Sequence, residues 1–228
     1  LAVRIENLQE SNPMLGHRGC RLGISKPEIY KMQTEAIFRS AIKLYQDGQK
    51  IKPEIMVPLI ADQKELEFIK QYLIQHIEHL FKQYGQEPFP YEIGTMIELP
   101  RACLTADKLA KNADFFSFGT NDLTQMTYGF SRDDIGKFIG QYKERDILPF
   151  DPFQQIDREG VGELMRIAIS KARQVNPNIA IGICGEVGGD PSSISFFQDI
   201  HVNYVSCSPY RVPAARLAVA QAAIQAKN

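Results

Sequence analysis

Five times along this chain a short apolar run stops abruptly at glycine or polar residues and gives way to a stretch with helical spacing, and this alternation restricts the fold more than any other feature. The runs are Pro53 to Ile60, Tyr91 to Leu99, Phe115 to Phe118, Ile179 to Cys184 and Asn203 to Cys207. A helix between successive strands carries the chain back to the starting edge, so the strands are expected to lie parallel. Phe115 to Phe118 holds no charge, as suits a parallel strand covered on both faces. Nearly every run ends in a residue capable of chemistry: Pro58, Glu98, Asn121 with Asp122, Glu186 and Cys207. An open doubly wound sheet concentrates function at one switch point, whereas a closed barrel gathers it from many strand ends. The expected fold is therefore α/β, a (β/α)8 TIM barrel. Five units do not close eight strands, and the sequence opens at Leu1 rather than Met, so the expectation is a carboxyl-terminal part whose missing strands precede it.

Helices fill the intervals. Leu1 to Glu10 reads as the tail of one, stopped at Asn12-Pro13. Pro27 to Asp47 is expected to be helical, with Ile29, Met32, Ala36, Ile37, Ser40, Ala41 and Leu44 near one face and Gly48 ending it. Further helices are expected over Asp62 to Tyr84, Pro100 to Ala110, Leu123 to Tyr128 and Gly160 to Val175, then from Ser192 or Ser193, as caps, to Asp199, and over Val212 to Lys227. Gly129 to Asp157 reads as a long charged connection.

With 44% apolar residues in 228 the chain can bury a core, and a net charge of −1 argues against nucleic-acid binding. No apolar run approaches the ~20 residues that cross a bilayer, which argues against a membrane protein. Cysteines at 20, 103, 184 and 207 form no CxxC pair, so the cytoplasm is the expected compartment. His76 and His79, at i, i+3, read as ordinary helix residues rather than metal ligands.

The segment Gly119-Thr120-Asn121-Asp122 stands where a parallel strand empties into a loop. Its structural alternative is a turn in which Asp122 caps the next helix. Glu98 and Asp122, from successive strand ends, make a hard-oxygen pair suited to Mg²⁺, which leaves coordination positions for substrate oxygens. Backbone amides of Gly119, Thr120 and Asn121 can hold a carboxylate or an enolate. Arg18, in a loop holding three glycines between residues 16 and 23, and Arg132 are suited to neutralise a phosphoryl group; the alternatives are a surface turn with solvated arginines, which the loop taken alone favours, and an ordinary solvated charge cluster. Cys207 is either a proton donor at the mouth or an inert thiol.

Six blocks together resemble the carboxyl-terminal barrel of the phosphoenolpyruvate-utilising enzymes, the pyruvate, phosphate dikinases in particular. They are Asn12 to Arg21, Pro53 to Leu59, Gly94 to Ala102, Phe115 to Gln125, Cys184 to Glu186 and Val205 to Pro213. Phosphoenolpyruvate synthase and the sugar phosphotransferase enzyme I are similar in the Gly-Thr-Asn-Asp block. The resemblance implies a barrel, residues 1–228, that binds phosphoenolpyruvate or pyruvate with Mg²⁺. Glu98 and Asp122 are the implied metal ligands, Asn121 a substrate and phosphoryl contact, Arg18 the phosphoryl arginine and Arg132 a second one. Cys207 is the implied acid that protonates the enolate, with Cys184 the competing thiol. Val187 departs from the pattern, which has a polar residue there. The family relays phosphate through a histidine in a Thr-Ser-His setting on another domain, which with the nucleotide-binding domain is not found here: His17, His76, His79 and His201 have other neighbours. Implied partners are that phosphohistidine domain and a second copy of the barrel in a homodimer. A Mg²⁺-dependent lyase or aldolase of pyruvate-like substrates, and a dimerisation module inactive alone, are the alternatives.

Overall fold

The computed structural model describes Ile5 and residues 8–225, so most of the expected amino-terminal helix tail, Leu1 to Glu10, and the last residues of the closing helix lie outside the described residues. The chain divides into two compact units: Leu1–Pro53 with Glu67–Tyr91, and Glu54–Leu66 with Glu92–Asn228.

The first unit is helical: α1 (Cys20–Ser25), α2 (Pro27–Gln46) and most of α3 (Gln63–Gln83). Pro27 at the first position of α2 has its φ preset and lacks only an N–H that would be unpaired there anyway. Gly48, at φ 83°, takes the left-handed conformation that ends the helix. Phe38 is fully buried, edge-on to Phe81 at 5.7 Å and to Tyr91 at 5.2 Å. The stripe expected on α2 is a correction. Thr34, Phe38, Ala41 and Ile42 face inward, while Met32, Ile37 and Leu44 are exposed. His76 stands 4.0 Å from Glu35, burial holds its pKa below the usual imidazole range against the pull of that carboxylate, and its Nε2 has no hydrogen-bond partner. No metal-holding group of three or more His, Cys, Asp or Glu is found among the described residues.

The second unit contains a parallel sheet: β1 (Glu54–Val57), β2 (Glu92–Ile97), β3 (Phe115–Gly119), β4 (Ala180–Cys184) and β5 (Tyr204–Val205), whose spatial order follows the chain. Each new strand is added to the same side of the last, so there is no switch point, and the winding is that of consecutive barrel strands. Register fixes the faces. Met96 pairs with Ser117, Ser117 with Gly182 and Gly182 with Tyr204, so these residues share one face, and the period of two puts Gly119 and its pair Cys184 there also. The other face carries Ile93, Ile97, Phe116, Phe118, Ile181 and Ile183, all fully buried.

Its helices are α4 (Pro100–Leu104), α5 (Ala106–Leu109), α6 (Thr120–Tyr128), α7 (Ile139–Glu144), α8 (Val161–Val175), α9 (Pro191–Asp199) and α10 (Val212–Gln225). The helix expected from Pro100 to Ala110 is broken at Thr105, whose φ of −119° and ψ of 24° depart from helical values. Both pieces pack on α8. The connection after Gly129 is not irregular throughout. It contains a 3₁₀ turn, Ile135–Lys137, and α7, held by an aromatic chain in which Phe130 lies 5.1 Å from Tyr128 and 5.0 Å from Phe138. The cap of α9 is Asp190 rather than Ser192 or Ser193, because Pro191 starts the helix earlier. Asp190 Oδ2 accepts from the Ser193 amide at 2.7 Å and the Ser193 hydroxyl at 2.6 Å. None of the described helices is long and apolar enough to cross a membrane.

Candidate active site at the strand ends

Glu98 follows β2 directly, is 4% exposed, and accepts the Leu59 amide on Oε1 at 2.6 Å. Leu59 is a buried non-glycine residue at φ 59°, a conformation that costs about 1–3 kcal/mol and that this charge-assisted bond helps to hold. A Cβ on Gly119 would lie 2.8 Å from Glu98 Cβ and 2.8 Å from Met96 Cε, and would overlap Glu98 Oε2. Glycine at 119 is therefore what lets the carboxylate rest across the end of β3.

The Gly-Thr-Asn-Asp segment is helical from its second residue. Gly119 is the N-cap of α6 and makes no side-chain cap bond, so the reading of Asp122 as a cap gives way: Asp122 is the third residue inside the first turn, half-buried, where its charge complements the helix amides. Thr120, 1% exposed, donates to the Cys184 carbonyl at 3.0 Å and ties the ends of β3 and β4. Asn121 Nδ2 donates to Glu186 Oε2 at 3.1 Å. Arg132 donates from Nη2 to Glu186 Oε1 at 2.7 Å, and its backbone amide is held by Gln125 Oε1 at 3.0 Å. The thiol of Cys184, half-buried, has its pKa pushed up first by burial and then by the charge of Glu98.

Glu98, Gly119, Thr120, Asn121, Cys184, Glu186 and Arg132 are thus linked through direct contacts and electrostatics at the carboxyl ends of β2, β3 and β4. Cys207 is placed differently. It lies two residues past the end of β5 and lines an apolar cavity of about 470 Å³ with Phe197, Tyr204, Val205, Val212 and Val219. Arg18 belongs to the first unit, half-buried, with Nε donating to the Met14 carbonyl at 2.9 Å. Its neighbour Arg21 is occupied by the carbonyls of Leu15 and Gly16 at 2.7 and 2.9 Å.

Two residues of this network were not part of the expected site. Glu186 holds Asn121 and Arg132, and Arg211 Nη1 donates to the Glu186 carbonyl at 3.1 Å. The signal available for Glu186 was its place immediately after a glycine at a strand end, as for Thr120. Val187, which departs from the polar residue of the family pattern, is 1% exposed.

Gly185 has φ 124°, and a Cβ there would overlap Thr120 Oγ1 and approach Asn121 Oδ1 at 3.3 Å. Gly185→Ala is expected to destabilise the domain by about 2–4 kcal/mol, from backbone strain plus steric overlap, read as a lower urea midpoint with unchanged slope. A midpoint equal to wild type would contradict the described turn.

The donor chemistry fits Mg²⁺. Glu98 and Asp122 offer hard oxygens in the number that this ion takes from protein, with further positions left to water and substrate.

Comparison with known proteins follows the same lines. Residues 3–224 match the family described as PEP-utilising enzyme, PEP-binding domain, where PEP is phosphoenolpyruvate. Pyruvate, phosphate dikinase of Clostridium symbiosum is 54% identical over 226 residues, 99% of this chain and 26% of that protein. The chloroplastic enzyme of Flaveria bidentis is 54% identical over 96% of this chain and 23% of its own length, and pyruvate, phosphate dikinase 2 of Zea mays 55% over 96% and 25%. The chain spans about a quarter of the length of these curated relatives. On the match across residues 3–224, the chain belongs to the PEP-binding domain family of the PEP-utilising enzymes.

Proposed function

We propose that this chain is the phosphoenolpyruvate/pyruvate half-site of a pyruvate, phosphate dikinase. The observation that carries the reading is the buried Glu98 carboxylate lying across Gly119, with Asn121 and Asp122 in the helical turn that follows. In the proposed reaction the phosphorus–oxygen bond of phosphoenolpyruvate breaks, a nitrogen–phosphorus bond forms on a histidine of another domain of the full-length chain, and the enolate takes a proton at its methylene carbon to give pyruvate.

Glu98 and Asp122 would hold Mg²⁺, which supplies positive charge for the phosphoryl and enolate oxygens. Asn121 donates to the substrate from the start of α6, where the exposed amides favour negative charge. The amides of Gly119 and Thr120 line the same end. Arg132 and Arg18 bind the phosphoryl group, Arg18 as a planar fork whose orientation is set at Nε by Met14. Cys207 gives the proton. Cys184 is the second candidate, favoured by a thiol kept protonated beside Glu98. In the full-length protein the barrel also forms the homodimer contact. None of the four cysteines is in a disulfide, which suits a reducing compartment such as the cytoplasm.

The test is exchange of isotope label between pyruvate and phosphoenolpyruvate in the intact protein, with deuterium uptake from solvent into the pyruvate methyl group. Both are expected, both are lost on chelation and restored by Mg²⁺, and the cysteine whose serine variant loses deuterium uptake is the acid. Deuterium uptake without label exchange would favour the lyase reading, and neither activity would overturn the assignment.

A further inference from the structure

We infer that Glu186 is a positioning residue, which sets Asn121 and Arg132 at the spacing the phosphoryl group requires. The inference rests on the reading of the site just given. One carboxylate joins two side chains from separate segments: Oε2 takes Nδ2 of Asn121 from the first turn of α6, and Oε1 takes Nη2 of Arg132 from the connection beyond Gly129.

The platform beneath it is fixed. Gly185 presses against Thr120 and Asn121 through a φ of 124° that no other residue tolerates well. The Glu186 carbonyl is tied to Arg211, and Val187, next along the 3₁₀ turn Glu186–Gly189, is 1% exposed. At its far end Arg132 is pinned by the Gln125 side chain, so the guanidinium is held at its root and its tip. The Arg132 and Glu186 side chains are 42% and 47% exposed, and an ion pair so open to water contributes little to stability. What the pair does supply is orientation. With Nδ2 engaged by Glu186, Asn121 has one amide orientation, and the guanidinium plane of Arg132 is set before substrate arrives. Preorganised donors raise the rate because no reorganisation remains to be done in the transition state.

The test uses Glu186→Ala, Glu186→Gln and the Glu186→Ala/Arg132→Ala double variant of the intact protein, assayed for phosphoenolpyruvate turnover. Glu186→Ala is expected to lose roughly 10- to 100-fold in kcat/KM, by analogy with outer-shell and orientation effects. Glu186→Gln recovers part of this, because its amide oxygen still accepts from Asn121 while the charge that holds Arg132 is gone. The double variant is expected to lose less than the two single losses combined, since Glu186 acts in part through that arginine. Thermal midpoints stay within about 2 °C of wild type, as for a surface substitution.

Turnover by Glu186→Ala within threefold of an active wild type would overturn the inference alone. So would a lower KM for phosphoenolpyruvate, which would make Glu186 a competitor of substrate for Arg132, or a midpoint lowered by more than about 5 °C, which marks a structural role. A wild type inert toward phosphoenolpyruvate would instead overturn the reading of the site, and this inference with it.

Discussion

Glu98→Gln is expected to leave the domain folded and to lower phosphoenolpyruvate turnover by at least about 10³-fold, since a lost metal ligand removes several kcal/mol of transition-state stabilisation. The two effects separate because Glu98 does two things. Its Oε1 accepts the Leu59 amide at 2.6 Å and so satisfies a buried backbone group at φ 59°. A glutamine oxygen accepts the same bond at nearly the same volume, so stability is expected to remain within about 1–2 kcal/mol of wild type. Under the proposed function its charge would also hold Mg²⁺, and a neutral amide would not replace it. Glu98→Ala removes both, and is expected to cost about 1–3 kcal/mol more by leaving the Leu59 amide buried and unpaired. Measuring the urea midpoint and the exchange rate on the same preparations separates the roles. A glutamine variant with near-normal turnover would remove Glu98 from the metal.

Arg18→Ala is expected to abolish phosphoenolpyruvate turnover to a similar degree, about 10³-fold, as for other arginines that stabilise a phosphoryl transition state, while Mg²⁺-dependent deuterium uptake into pyruvate persists. The split is the informative part. A lyase needs carboxylates to stabilise an enolate and no clamp for phosphate, so in such an enzyme the variant would retain full activity. Arg21, three residues on, is the control. Arg21 is committed to the carbonyls of Leu15 and Gly16, so Arg21→Ala should loosen the loop and raise KM without the selective loss of phosphoryl transfer. Equal effects of the two substitutions on both activities would contradict a phosphoryl role for Arg18.

Much of the architecture was legible because it depends on patterns that sequence carries directly. Apolar runs punctuated by glycine located β1 to β4 to within a few residues, and Pro27, Pro100 and Pro191 mark helix starts by the geometry of their own rings. Where the reading slipped, tertiary contacts or local backbone conformation decided between near-equal alternatives. On α2 two stripes offset by about two residues are both apolar, and the aromatic contacts of Phe38 with Phe81 and Tyr91 select the one containing Phe38. Thr105 interrupts a helix that propensity alone would continue, through a backbone at φ −119° and ψ 24° that leaves the helical values.

The site divides in the same way. Glu98 and Asn121 could be found because each follows a parallel strand at its carboxyl end. That Gly119 must be glycine depends on Glu98 and Met96 of a neighbouring strand, which no local pattern reveals. The clamp at Glu186 joins residues more than fifty positions apart along the chain, from Asn121 and Arg132 to Glu186, and needs the register of β3 on β4 before it can be seen. Cys207 lies two residues past the end of β5, where alternation no longer sets a side chain's direction, so its place on the apolar cavity was not legible from the strand pattern.

The central claim is that Glu98 and Asp122 hold one divalent ion through which phosphoenolpyruvate is bound, and calorimetric titration of phosphoenolpyruvate into the intact protein tests it most directly. The expected result is binding by wild type with Mg²⁺ present, none after chelation, and none by Glu98→Gln or Asp122→Asn at the same Mg²⁺ concentration. Equal binding with and without the ion, or undiminished binding by both variants, would contradict it.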